Sequence, residues 1–557
     1  MEPAFAIEHS VSEEQPSGTA EFGVVEGAPS QSLVVLEPGK KLTIKELYDV
    51  AVLGRHAELS KVAFERMAHS NRLLNEKIAR GETIYGVNTG FGGNCHYLIP
   101  GDNASRLQNN LLLFLTAGTG ENLPVWVVRA AMLLRANALA QGWSAARPEV
   151  VVQILNLLNA GMTPMVPAYG SVGASGDLIP SAYIARALLG EGEVLYRGKI
   201  MPAAKALDLA GIKPITLKAK EGLALVNGTT LMTAYAALAV YDFEFTFRVG
   251  LAAIALAVEA LRSSSDYFDA RLQHVKGHPG QIAVASFLRK VLAGSQLCVG
   301  HHSIREEVAE TGRLATETHA VTRAKTAVQA PYSLRCVSQG LGPIFESLRD
   351  AEIVVEREMN SVNDNPLLDP DTGDVLHGGN FFGAHVAREM DALKLDICYL
   401  ANWTHSILGV LMDERFSQGL PNSLSPKLGI FQGLKGLQLS QTALVVQLRR
   451  DSAPSSIHTL PTEQFNQDVV SLGTHAASTT YGMTRMLRDA VAMTLLAVAQ
   501  AIDIRSHARG LAVGTSTVFS AIRGVSPFVE EDRALHADIA AVSDLIADRR
   551  IPVLDFD

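Results

Sequence analysis

The stretch with the greatest chemical potential in this chain is Gly170-Ser171-Val172-Gly173-Ala174-Ser175-Gly176-Asp177-Leu178. Its glycines let the backbone turn tightly and approach itself, and Asp177 is placed to start a helix ending near Gly190. A Gly/Ser loop of this composition ordinarily caps a helix or holds an anion on its amides. The spacing is G-x-x-G-x-x-G rather than G-x-G-x-x-G, and no Lys follows as in a Walker loop, so a nucleotide cradle is disfavoured. A second candidate is the phenol of Tyr85, in Tyr85-Gly86-Val87-Asn88-Thr89-Gly90-Phe91-Gly92, which is either a turn residue or a base. Arg335, in Gln329-Ala330-Pro331-Tyr332-Ser333-Leu334-Arg335, stands in an apolar, helix-forming context. It needs an anionic partner, either a bound carboxylate or a structural acid.

The elements that must position these groups are helical. From Asn103 to Gly120, Pro124 to Gly142 and Pro148 to Gly161, apolar residues recur every three or four positions and each stretch stops near a C-capping Gly. Glu193–Tyr196 and Ile200–Ala203, joined by Arg-Gly, form the one convincing hairpin. The segments Gly222–Arg262, Tyr332–Met359, Asn380–Met412 and Asn466–His507 are long and rich in Ala and Leu, with too little charge for solvated faces. Such helices are covered by neighbours or by other subunits. The expected architecture is mainly α, a long central helical bundle with a smaller N-terminal α-rich domain that carries the Gly/Ser loop. Residues 1–34, rich in Glu, Ser, Pro and Gly, read as a mobile tail, with 35–221 as the N-terminal domain and 222–557 as the bundle and C-terminal helices. Ordered structure is expected from about Leu42.

Composition narrows the function. Hydrophobic residues make up 47% and charged residues 19% of 557, a globular balance. The charge of −9, from 48 basic and 57 acidic residues, disfavours nucleic acid as a partner. Four scattered cysteines with no C-x-x-C pair suit a reducing cytoplasm, and Met1-Glu2-Pro3-Ala4 lacks the features of an export signal. The uncharged run Leu223–Tyr241 is interrupted by Asn227, Gly228, Thr229, Thr230 and Thr233, so a buried helix behind a polar cap is expected in place of a membrane span. No H-E-x-x-H or carboxylate-rich loop supports a metal, and none is assigned.

The 170–178 stretch strongly resembles the signature of the histidine, phenylalanine and tyrosine ammonia-lyases and related aminomutases, and the likeness continues over most of the chain from about Leu42. In that family the Ala-Ser-Gly matched by Ala174, Ser175 and Gly176 becomes 4-methylideneimidazole-5-one (MIO). The Gly nitrogen closes on the Ala carbonyl carbon, and dehydration of the Ser leaves an exocyclic methylidene. The residue types suit this: Gly176 has no Cβ to obstruct its nitrogen, Ala174 is small, and Ser175 carries the hydroxyl that leaves. The product is an electrophile that no ordinary side chain offers. It accepts the substrate amine and makes the nitrogen a better leaving group.

Further positions follow from the resemblance. Tyr85, on a lid, is the base that takes the β-proton. A phenol of ordinary pKa about 10 must be made more acidic for this, and helix N-termini would do so. Asn227, otherwise a helix cap, lies beside the prosthetic group, with Gln329 and Tyr332 around it and Arg335 on the substrate carboxylate. Asn380 and Phe381 face the substrate, and Gln467 lies deeper in the pocket. Lys435 and Glu463 are family positions whose ordinary alternative is a solvated ion pair. Asn360–Pro366 reads as a structural helix stop. The resemblance implies a homotetramer in which Tyr85 with the MIO, Tyr332 with Arg335, and Phe381 with Gln467 come from different chains. The fumarase–aspartase group is a structural rival, but its G-S-S-x-x-M-P-x-K-x-N-P signature is missing. A catalytically dead helical scaffold would have lost Tyr85, Ser175 or Arg335.

Phe114 and Leu115 bear on the substrate. Both are apolar, and by resemblance a Phe-Leu pair matches bacterial phenylalanine lyases, His-Leu tyrosine lyases and Ser-His histidine lyases; as core positions they would look the same. Phenylalanine is favoured, giving trans-cinnamate and ammonia, while an aminomutase outcome stays open. An apolar pocket rejects an added hydroxyl by only about 10²-fold, so slow tyrosine turnover is compatible. A phenol left unpaired in such a site costs roughly 1–3 kcal/mol. Phe114→His should therefore raise the tyrosine-to-phenylalanine ratio of kcat/KM. An unchanged ratio in a folded protein with intact MIO absorbance removes residue 114 from substrate selection.

Overall fold

The computed structural model describes residues 33–324 and 327–556, apart from the side chain of Glu307. The expected tail lies outside these residues except for Leu33 and Val34. Ordered chain begins earlier than Leu42, because Val34–Leu36 pairs in parallel with Ala57–Leu59. The period of three to four residues is realised in helices Ala104–Phe114, Val125–Ala140 and Pro148–Asn159. The first ends earlier than its pattern suggested, since residues 119–122 turn into a strand on Pro167–Tyr169. The hairpin Glu193–Tyr196 with Lys199–Pro202 is present.

Five long helices build the bundle: Thr230–Ala260, Val337–Met359, Ala384–Met412, Lys435–Asp451 and Gly473–Ile504. The run from Gly222 is cut at Asn227-Gly228-Thr229, where the short helix Glu221–Val226 ends and the long one begins. In Thr230–Ala260 every residue is buried except Tyr241, Asp242 and Glu244, so its all-round apolar character is met by neighbours in the same chain. Among the described residues no helix is long and apolar enough to cross a membrane.

Direction matters for the site. Met232 abuts both Gly383 and Gly473, and further along Gly250 meets Leu400 and Tyr235 meets Tyr481. The helices starting at Thr230, Ala384 and Gly473 therefore run parallel, with their N-termini gathered at one end. Val337–Met359 runs the other way: Thr229 Oγ1 donates to Glu358 near its C-terminus at that same end. Lys435–Asp451 is also antiparallel, since Gln441 meets His405 and Cys398 donates to the Leu448 carbonyl.

Unlike Thr230–Ala260, the outer helices are left partly uncovered. Leu395 and Tyr399 on Ala384–Met412, and Leu439 and Val446 on Lys435–Asp451, are exposed. Apolar faces of this kind suit association with another copy more than solvation.

Candidate active site

The 170–178 loop sits on the gathered helix ends. Asp177 is fully buried and starts the helix Leu178–Leu188 by position, as expected, but its carboxylate makes no cap there. It turns to the neighbouring helix instead: Oδ2 accepts from the amides of Leu231 and Met232, both at 2.9 Å, and Oδ1 from Ser171 Oγ (2.8 Å) and Thr474 Oγ1. One carboxylate thus caps Thr230–Ala260 and ties it to the first turn of Gly473–Ile504. Burial pushes its carboxyl above the ordinary range, and these four donors pull it back. Ser471 Oγ donates to the Gly173 carbonyl at 2.9 Å, and the Leu472 amide to the Val172 carbonyl at 3.1 Å.

Ser175 is held from three sides. Asn227 Nδ2 donates to its carbonyl at 2.9 Å, the Gly228 amide approaches the same oxygen at 3.4 Å, and Gln467 Nε2 donates to its Oγ at 3.1 Å. The Asp177 amide donates to the Gly228 carbonyl at 2.7 Å. Gly176, at φ +74°, and Gly228, at φ +142°, lie back to back, and a Cβ on Gly176 would collide with the Gly228 carbonyl. Only glycine satisfies both the backbone angle and this approach. Asn227 Oδ1 is buried without a hydrogen-bond partner, leaving an acceptor next to Ser175.

Gln467 belongs with Ser175 of its own chain. This corrects the expectation that Gln467 comes from a different chain than the Ala-Ser-Gly triad. The reason is local: Thr462 and Gln467 close a turn, with the Thr462 amide donating to the Gln467 carbonyl at 2.9 Å, and the loop packs beneath Ser175 on the start of Gly473–Ile504.

The same turn carries Glu463, whose carboxylate accepts from the Gly93 amide at 3.0 Å and so grips the Tyr85–Gly92 segment. The root of that segment is fixed by Gln108, which donates to the Gly86 carbonyl and accepts from the Leu223 amide, both at 2.9 Å. Tyr85 is half-buried, and its hydroxyl accepts from the Gly92 amide at 2.8 Å. Its pKa is raised above the ordinary value and not lowered as expected. Burial raises it, the Gly92 amide lowers it, and the Glu463 carboxylate raises it again. Lys435 donates to Gln432 at 2.5 Å, so the alternative of a Lys435–Glu463 pair is not realised.

Other expected residues are dispersed. Leu115 is buried and Phe114 is 61% exposed, at the end of a helix that packs on Glu221–Val226. Asn380 donates to the Val362 carbonyl at 3.2 Å, and Phe381 is half-buried two residues before Gly383 at the gathered end. Gln329 and Tyr332 are exposed. Arg335 stacks on Tyr332 at 4.4 Å and donates to the Ala330 carbonyl, with no acid partner among the described residues. The Ser333 carbonyl accepts from Trp403, twenty residues beyond Gly383, which at 1.5 Å per residue is about 30 Å from the 170–178 loop. Lys435 lies at that far end too, on an antiparallel helix.

Behind the Asn227 turn lies a charged layer that the motifs had not revealed. Lys220 and Asp364 form a buried pair at 2.7 Å, and Arg135 reaches the Asn227 carbonyl at 2.9 Å. The Asn360–Pro366 stop is structural as expected, but Asn363 and Asp364 also serve this layer. The signal for Arg135 was available: like Arg335, and like Arg129 on its own helix, it is an Arg in an apolar helical run.

Residues 42–524 match the family described as aromatic amino acid lyase. A hal-like protein of Dictyostelium discoideum is 43% identical over 93% of this chain and 96% of its own length. A histidine ammonia-lyase of Geobacillus thermodenitrificans is 39% identical over 91% and 96%. A solved tyrosine aminomutase of Streptomyces globisporus superposes with a TM-score of 0.90 at 31% identity, covering 94% of this chain and all of that one. The chain belongs to the aromatic amino acid lyase family, which spans ammonia-lyases and aminomutases.

The state of Tyr85 sets a pH expectation. Its pKa lies above the ordinary 10, so the phenolate is scarce at neutral pH and grows about tenfold per pH unit below that pKa. If Tyr85 is the expected base, activity limited by it should climb into the alkaline range. Glu463→Gln removes the charge that opposes ionisation, so the rising limb should move to lower pH, whereas a limb set only by the substrate amine would stay in place. A maximum below neutrality would contradict Tyr85 as the base.

Proposed function

We propose that this protein is a phenylalanine ammonia-lyase whose Ala174-Ser175-Gly176 triad becomes MIO and which converts L-phenylalanine to trans-cinnamate and ammonia. The chemistry rests chiefly on one observation, the contact between Gly176 and Gly228. The peptides on either side of Gly176 are held by Asn227, by the Gly228 amide and by the Gly228 carbonyl, while the Gly176 amide donates no backbone hydrogen bond among the described residues. A nitrogen that makes no such bond and has no Cβ beside it, between two fixed peptides, suits ring closure on the Ala174 carbonyl. When formed, MIO supplies the electrophile for a substrate amine.

The chain's own groups then have distinct tasks. Asn227 Oδ1 accepts from the substrate amine, and Tyr85, held by Gly92 over the loop, takes the β-proton. Phe114 and Leu115 receive the ring together with Phe381, and Asn380 and Gln467 border the pocket. Arg335, unpaired with any acid among the described residues, receives the substrate carboxylate, with Gln329 and Tyr332 beside it. Lys435 and Glu463 adjust the local charge. Phenylalanine is chosen over histidine because neither residue 114 nor residue 115 offers an imidazole a hydrogen bond. The 39% identity to a histidine ammonia-lyase favours histidine as the second reading.

The 30 Å between the Arg335 and Ser175 ends of one chain supports a site completed by an antiparallel neighbour, within a homotetramer built on the uncovered helix faces.

Incubation with L-phenylalanine, L-tyrosine and L-histidine, following each arylacrylate by absorbance and β-phenylalanine by chromatography, separates the readings. Cinnamate as the main product supports the proposal, urocanate would replace it by the histidine reading, and β-phenylalanine would mark an aminomutase. Peptide mass over residues 170–178 should show the loss of two waters, absent in Ser175→Ala; an unmodified wild-type peptide overturns MIO chemistry altogether.

Sharing between chains is tested by mixing. Inactive Ser175→Ala and inactive Arg335→Ala proteins, exchanged as subunits, should regain part of the activity. An active monomer by sedimentation would reject shared sites.

A further inference from the structure

Arg135 lies in the middle of Val125–Ala140, in the run Ala130-Ala-Met-Leu-Leu-Arg135-Ala-Asn-Ala-Leu-Ala140, and only 3% of it is exposed. Burial lowers its pKa to about 10, with the charges of Asp364 and Asp177 acting against that fall, so it is a cation at neutral pH. A buried cation persists only where acceptors replace its water. Nη1 donates to the carbonyls of Asn227 (2.9 Å) and Ala224 (3.3 Å), and approaches Asn363 Oδ1 at 3.4 Å. Nη2 reaches Thr230 Oγ1 at 3.5 Å.

Those two carbonyls are at the C-terminal end of the helix Glu221–Val226, where the last turn leaves its acceptors unpaired and the dipole is negative. Thr230 begins the next helix. The guanidinium thus bridges the end of one helix and the start of another, and closes the turn Asn227-Gly228-Thr229 from behind. The fit is tight: a Cβ on Gly228 would overlap both Arg135 Nη2 and Asn363 Oδ1. The other side of this turn carries every contact that braces the triad from this direction, namely Asn227 Nδ2 and the Gly228 amide on the Ser175 carbonyl and the Gly228 carbonyl on the Asp177 amide.

We propose that Arg135 is a positioning residue for cyclisation of Ala174-Ser175-Gly176: its planar fork fixes the Asn227-Gly228 turn, and the turn presses the triad into the geometry in which Gly176 nitrogen meets the Ala174 carbonyl carbon. This rests on the MIO reading above. The closure forms one N–C bond and releases one water, and dehydration of Ser175 releases the second. Arg135 exchanges no proton in either step. A lysine would keep the charge beside Asp364, but its single ammonium cannot serve the Ala224 and Asn227 carbonyls and Thr230 Oγ1 together, as Nη1 and Nη2 do.

A control lies on the same helix. Arg129 is also buried and also clamps carbonyls, those of Ala51, Val50 and Leu158 at 2.9–3.0 Å, but away from the triad. Arg135→Lys, Arg135→Met and Arg129→Lys are purified with wild type, and each is scored on its folded fraction for melting temperature, two-water loss at residues 170–178, and kcat per dehydrated site. Both Arg135 variants should cyclise about tenfold more slowly or worse, in line with losing a charge-assisted contact. Sites that do cyclise should retain KM. Arg129→Lys should lose stability yet dehydrate fully. Two-water loss at the wild-type rate in either folded Arg135 variant, or equal slowing in Arg129→Lys, overturns the proposal. No dehydration in wild type overturns the MIO reading instead.

Discussion

Three long parallel helices begin at the same place, and their unpaired amides must be satisfied there without much water. Each N-terminus carries the equivalent of about half a positive charge and several orphan donors. Asp177 meets part of this demand with one buried carboxylate that accepts from the Leu231 and Met232 amides of one helix, from the Thr474 hydroxyl in the first turn of a second, and from Ser171. Because Asp177 follows Gly176 directly, satisfying the helix ends also sets the position of the triad. The loop is therefore part of the bundle's capping, and its conformation is as rigid as the packing of Thr230–Ala260 against Gly473–Ile504.

That coupling explains the choice of small residues around Ser175. With the helix ends fixed, the backbones of residues 176 and 228 approach until no Cβ fits between them. Gly383 and Gly473 are pressed in the same way on Met232. The Tyr85 side of the site is built differently. The Tyr85 segment is held at its tip by Gly92 and Glu463 and at its root by Gln108, through exposed or half-buried hydrogen bonds each of modest net strength. A buried, packed loop beside a more lightly held Tyr85 segment is a division that would let a ligand enter without disturbing the Gly176–Gly228 contact.

The two ends of the bundle also differ in their less covered groups. Acceptors and hydroxyls collect at the gathered N-termini, whereas Arg335 and Lys435 lie at the opposite end, with Arg335 resting on an exposed aromatic ring instead of an acid. A cation with no acid partner among the described residues is stable in water but is poised for a surface that brings an anion. Head-to-tail pairing of two such bundles would bring the two ends together.

Much of this was legible in the residues alone. The helical segments and the break at Asn227-Gly228-Thr229 follow from residue type and short-range periodicity, which act over a few positions, while the Ala174-Ser175-Gly176 triad was recognised by its resemblance to the lyase signature. What tertiary structure decided are partnerships over hundreds of residues. Asp177 could be read as a helix start but not as the cap of a different helix, because side-chain acceptors serve whichever amides the packing presents. Gln467 could be assigned to a pocket but not to its own chain's Ser175, and Lys435 and Glu463 look like a pair only until antiparallel packing parts them by the length of a helix. The acidity of Tyr85 was expected to be raised by helix dipoles; burial and the neighbouring Glu463 oppose it, since a pKa sums over every group in the surroundings. Local preferences specify the parts, and only the packed core, by choosing which buried polar groups meet, specifies the site.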